Sequence, residues 1–100
     1  MDYCFLNDSG YAMNIVRPGV DPHWEMILKA RELRMDFFER LVEYYDDGLV
    51  GPEEFAGWLA QIHIMQEQDI SPDLKTFLQE LEGLIQAAGA LGKPVHALAD

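Results

Sequence analysis

The side chains able to do chemistry are few and widely spaced. His63 and Glu67 stand four residues apart, which places an imidazole and a carboxylate on one face of a helix. Such a pair could hold a metal or pass a proton, but a zinc site takes three or four protein ligands. His23 and His96, the other two histidines, fall at no ligand spacing from it. Cys4 is the single cysteine and could contribute only if the N-terminal segment folded against that helix. An enzymatic reading therefore needs a pocket that gathers His63, Glu67 and Cys4. Ser9 and Ser71 are the only serines, and turn or cap chemistry already accounts for both. No glycine-rich loop joins a strand to a helix in the manner of a phosphate site. These residues nominate no catalytic site, no metal and no cofactor.

One segment, Glu43 to Phe55, resembles an EF-hand calcium loop. With Glu43 at the first loop position, Asp47 falls at the fifth, Gly48 at the sixth and Glu54 at the twelfth. The frame of helix, loop and helix is right, and a calcium-responsive hairpin is what the resemblance implies. The ligands depart from it: Tyr45 and Gly51 stand where calcium takes oxygen donors, and a proline occupies the tenth position. An ordinary helical hairpin turned by Gly48 is the reading these residues favour, with Leu49 and Val50 plugging the gap between helices.

The elements that must position these groups are read from periodicity. Tyr3 to Leu6 and Tyr11 to Val16 are aromatic and β-branched runs separated by Asn7-Asp8-Ser9-Gly10, which predicts a β-hairpin or extended arm over residues 1–20. Asp21-Pro22 is a helix start, and the helical pattern runs from about Pro22 to Tyr45. Its apolar arc of roughly 220° is much wider than the ~100° stripe of a one-sided helix, which predicts a central helix. Arg31 and Arg34 fall inside that arc. They predict ion pairs to Glu53, Glu67 or Asp69, or, for Arg31 beside Trp24, Phe38 and Tyr45, a partner-binding anchor. A second helix follows from about Pro52 to Gln68, with Phe55, Trp58, Leu59, Ile62 and Met65 on one face. A third begins at Ser71-Pro72-Asp73 and stops near Gly89. The fold predicted is mostly α: an antiparallel three-helix domain, with residues 21–89 as its core, a short N-terminal β-hairpin or arm, and an extended or weakly helical tail over 90–100. All 100 residues form a single domain in this reading.

Composition bounds the partner. Eighteen Asp plus Glu against seven Lys plus Arg give a formal charge of -11, and 49% of residues are hydrophobic. That hydrophobic fraction is typical of a folded domain rather than an acidic tail. The charge repels phosphate backbones and anionic headgroups, so direct nucleic-acid or membrane-surface binding is excluded as the main activity. The opening residues lack a basic start and a long apolar run, and a lone cysteine builds no disulfide framework. Both predict a cytoplasmic protein.

The functional expectation is a non-catalytic, acidic protein-binding domain. It would be an inhibitor or an immunity or anti-defence type of protein that occludes a basic partner such as a nuclease, a toxin or a nucleic-acid-binding complex. Bacterial immunity proteins and phage anti-defence inhibitors are similar in size and charge. Four of the seven basic residues, Lys29, Arg31, Arg34 and Arg40, lie on the first helix, which leaves the following turn and second helix acidic. The partner-binding acids expected are Glu39, Glu43, Asp46, Asp47, Glu53 and Glu54, with Arg31 as an anchor. Ala56, Ala60 and Ile64 form a small-residue face on the second helix, suited to a partner or to a homodimer, and a homo-oligomeric adaptor is the second reading.

Overall fold

The computed structural model describes residues 2–35 and 48–98 of the chain. The N-terminal hairpin stands where its turn residues put it: β1 (Asp2–Leu6) and β2 (Ala12–Val16) run antiparallel. Asn7 organises the turn. Its side-chain oxygen accepts from the N–H groups of Ser9 and Tyr11 at 2.9 and 3.0 Å, and its carbonyl accepts from Gly10 at 2.9 Å. Gly10 closes the loop at φ 83, a conformation open to a residue without Cβ. Between the pairs Phe5↔Met13 and Tyr3↔Val16 the second strand carries one extra residue, and Asn14, at φ 52, forms the resulting bulge.

The mostly α three-helix class does not hold. Gly48–Val50 is a strand, β3, and Val95–Leu98 is another, β4, so the hairpin belongs to a four-stranded sheet of order β2-β1-β4-β3 in which all neighbours are antiparallel. The chain is an α+β fold. A two-stranded hairpin leaves one edge of each strand unpaired and is marginal by itself. The C-terminal segment pairs with the open side of β1 through Tyr3↔Ala97 and Cys4↔His96, and β3 then adds through Leu49↔His96 and Val50↔Val95. Both new strands alternate between faces: Val50, Val95 and Ala97 are buried with Tyr3, while Leu49 points outward. Gly48 is thus strand rather than helical turn, which breaks the helix-loop-helix frame at its centre. Glu43 to Asp47 lie outside the described residues.

The described helices are α1 (Val20–Glu32), α2 (Phe55–Gln66) and α3 (Pro72–Ala90), with a 3-10 turn at Pro52–Glu54 leading into α2. The expected helix from Pro22 to Tyr45 is corrected at both ends. Gly19 caps it, two residues before Asp21. Its other end is a Schellman motif: the N–H of Met35 reaches the Ala30 carbonyl at 2.8 Å, and that of Arg34 reaches Arg31 at 3.2 Å. Arg34 takes the left-handed conformation at φ 55, and Met35 folds back into the core beside Ala30.

The helix at the centre is α3 rather than α1. Leu74, Phe77, Leu78, Leu81, Leu84, Ile85 and Ala88 are all buried, and α3 packs on α1, on α2 and on the sheet. Its start is the one the sequence marks, with the Ser71 hydroxyl accepting from the Leu74 N–H at 3.1 Å and Pro72 in the first turn. Its end is not. The helix passes through Gly89 and closes at Gly92, at φ 65, where the N–H of Lys93 reaches the Ala88 carbonyl at 2.9 Å.

Tyr3 ties the layers together. Its ring centroid lies 6.3 Å from that of His23 on α1, 6.4 Å from Trp58 on α2 and 5.7 Å from Phe77 on α3, so the three described helices cover the same face of the sheet. Its hydroxyl meets His23 Nε2 at 3.1 Å. Burial pushes the phenol well above its ordinary pKa, so the hydroxyl keeps its proton in this hydrogen bond. Among the described residues no helix is long and apolar enough to cross a membrane.

Candidate protein-docking surface

The fold separates the groups that chemistry would need together. His63 on α2 turns to α3 rather than to Glu67: its Nε2 lies 3.0 Å from Glu82 Oε1, while the Gln66 amide donates to Oε2 at 3.2 Å. A carboxylate only accepts, so Nε2 carries the hydrogen. The hydrogen bond from His63, and after it the one from Gln66, holds the Glu82 carboxyl below the usual range. Cys4 lies on β1 as the register partner of His96. It is fully buried, and burial, with a smaller push from the Asp2 charge, raises its thiol pKa, so the thiolate a nucleophile requires is disfavoured. Among the described residues no three His, Cys, Asp or Glu side chains come together as metal ligands.

The acidic face predicted around the turn can be placed only in part. Glu53 and Glu54 stand on the 3-10 turn after β3, with Glu53 exposed and Glu54 half-buried. Glu39, Glu43, Asp46 and Asp47 lie outside the described residues. Other acids join Glu53 at the surface: Glu67, Asp69, Asp73 and Glu80 are exposed and enter none of the ion pairs among the described residues. Three of the described cations are paired, while Arg31, Arg34 and Lys75 are exposed outside these pairs. Arg17 is held by Asp2 at 3.1 Å, Lys29 by Glu32 at 3.2 Å and Lys93 by Asp8 at 2.6 Å. Net negative potential is what remains at the surface.

Arg31 and Arg34 are exposed, and none of these ion pairs includes them, so the expected bridges to Glu53, Glu67 or Asp69 are not formed. Arg31 instead follows Trp24 and Leu28 along α1 at helical spacing, and these two side chains are 54% and 59% exposed. The helix buries Met26, Ile27 and Ala30 on its other side. The width of the apolar arc was the signal for this row: an arc too wide for the available neighbours leaves part of itself in water. Ala56, Ala60 and Ile64 lie along the exposed side of α2, away from buried Phe55, Trp58, Ile62 and Met65.

A third surface has only a faint trace in the sequence. Met13 and Ile15 on β2, with Tyr11 just before it, are exposed at an edge strand of the sheet. Beside them a groove of about 370 Å³ opens between β2 and α3, lined by Asn14, Ile15, Val16, Glu80, Gly83 and Leu84. The apolar run from Tyr11 to Val16 is legible in the sequence, but the groove depends on α3 passing beneath that edge. The chain matches no protein family, no curated protein and no solved structure.

Proposed function

We propose that this chain is a non-catalytic, acidic protein-binding domain that docks on a basic, nucleic-acid-handling protein in the cytoplasm and occludes it, as an inhibitor or an immunity or anti-defence protein would. The observation that carries the reading is the surplus of exposed acids over exposed cations. Among the described residues Glu53, Glu67, Asp69, Asp73 and Glu80 face solvent outside the ion pairs, against Arg31, Arg34 and Lys75, on a chain of net charge -11. Such a field accelerates encounter with a basic surface and repels nucleic acid itself. Affinity then comes from desolvated side chains, and Trp24, Leu28 and Arg31 supply an aromatic, an aliphatic and a guanidinium group in one row.

The test is capture of partners from the native host lysate on immobilised chain, with elution by a salt step. A basic protein whose nucleic-acid activity falls when the chain is added, and whose capture is lost with Trp24→Ala, supports the reading. Capture of nucleic acid alone, or a partner whose activity is unchanged, counts against it. The exposed Ala56, Ala60 and Ile64 face favours the second reading, a homo-oligomeric adaptor, and a stable dimer by mass measurement, dissociated by Ala60→Glu, would establish that instead.

A further inference from the structure

We propose that the groove between β2 and α3 receives an extended, basic segment of a partner protein, laid along the edge of the sheet beside β2. Three features of the fold converge there. β2 is an edge strand in the order β2-β1-β4-β3, so its outer side offers backbone N–H and C=O groups to an added extended chain. Apolar side chains along this edge are left in water: Met13 is 40% and Ile15 46% exposed, and Tyr11, just before β2, is 71% exposed. Next to them, Ile15, Val16 and Leu84 give the groove an apolar lining, and its volume of about 370 Å³ accommodates side chains dropping from a segment laid over α3.

Gly83 keeps the α3 side of the groove open. It sits in the interior of α3, where glycine weakens a helix relative to alanine. Its backbone is not left-handed, and no atom lies within 4 Å of where its Cβ would stand, so neither conformation nor packing within the chain requires glycine there. Glycine at the groove allows the closest approach of an incoming backbone or side chain.

Charge selects the occupant. Among the described residues Glu80 is the only ionisable group lining the groove, and the chain carries -11 overall, so a lysine or arginine of the segment meets a carboxylate while a second copy brings its own Glu80 and its own surplus of negative charge. This inference rests on the proposed reading only in taking the partner to be basic.

The probe is a short synthetic peptide alternating valine and lysine, followed by amide NMR on the full chain, with a valine and glutamate peptide as counterpart. The expected result is shifts at Ile15, Val16, Gly83 and Leu84 with the lysine peptide alone. Gly83→Gln, which fills the groove without lowering Tm, and Glu80→Lys should each weaken binding by more than about tenfold, while Gly57→Gln, on the exposed side of α2 with open space at its Cβ, changes nothing. Shifts spread over other acidic surfaces and indifferent to Gly83→Gln overturn the groove but leave a basic partner standing. Equal binding of the glutamate peptide overturns the charge selection and with it the basic-partner reading. No shift with either peptide overturns the groove. Dimerisation abolished by Gly83→Gln assigns it to a second copy and overturns the proposal.

Discussion

Glu25 on α1 accepts two hydrogen bonds from Ser71, one from its backbone N–H at 2.9 Å and one from its hydroxyl, while the same hydroxyl oxygen accepts from the Leu74 N–H. A capping box of this kind is normally closed by a glutamate three residues into the same helix. Here the carboxylate comes from 46 residues earlier in the chain, so the N-terminus of α3 is capped and tied to α1 by one group. Hydrogen bonds to a charged acceptor contribute about 1.5–3 kcal/mol each when well formed, less where water competes. Glu25→Ala is expected to destabilise the fold by about 1–3 kcal/mol in denaturant unfolding. Ser71→Ala should cost about 1–2 kcal/mol, and the double variant should lose less than the sum, since both remove the same bond.

The Tyr3 hydroxyl is buried and hydrogen-bonded to His23 Nε2 at the meeting point of sheet and helices. Tyr3→Phe keeps the ring contacts with Trp58 and Phe77 and is expected to cost about 1 kcal/mol. Tyr3→Ala empties the same site and should cost about 3–5 kcal/mol, enough to threaten folding of a chain this size. Equal Tm losses for the two variants would contradict the assigned geometry.

Stability should fall on acidification through the carboxylates whose native pKa is depressed. Glu82, held by His63 and Gln66, has its native pKa below the ordinary 4.5, so its contribution is present above that pH and is lost as pH falls through the lower native value. His63→Ala is predicted to move the Glu82 titration, followed by NMR, back toward the ordinary value and to shallow the acid limb of the stability curve. Asp8, lowered chiefly by its hydrogen bond from Lys93, should titrate below its ordinary range as well, and Lys93→Ala should raise it.

Arg34 occupies the left-handed position of the Schellman motif that ends α1, where an L side chain is strained and glycine is not. Arg34→Gly is predicted to stabilise the chain by about 0.5–1 kcal/mol, read as a rise in Tm.

The parts of the fold legible in the sequence are those with local causes. Asn7 to Gly10 specify their turn by side chain and glycine chemistry, and Ser71-Pro72 specify the start of α3, because every group involved lies within a few residues. β3 and β4 were not legible. Three and four residues carry almost no period, and the pairing of Val50 with Val95 is decided by which strand finds the open side of β1. The end of α1 was hidden for a related reason: Arg34 offers no glycine signal, and the amphipathic pattern continues past it in the residue types alone. Glu25, which falls in the polar sector of its helix, reads as a solvated acid until Ser71 is brought beside it. For the docking surfaces, Trp24 and Leu28 were visible as apolar residues but not as exposed ones. That distinction depends on where α3 runs.

The measurement that bears most directly on an acidic domain docking on a basic partner is the affinity for the captured protein as a function of salt, with the wild-type chain and with Trp24→Ala. Binding that weakens steeply as salt screens the surface, and that loses about tenfold or more with Trp24→Ala at every salt concentration, is the predicted result. Affinity unchanged from low to high salt would contradict it.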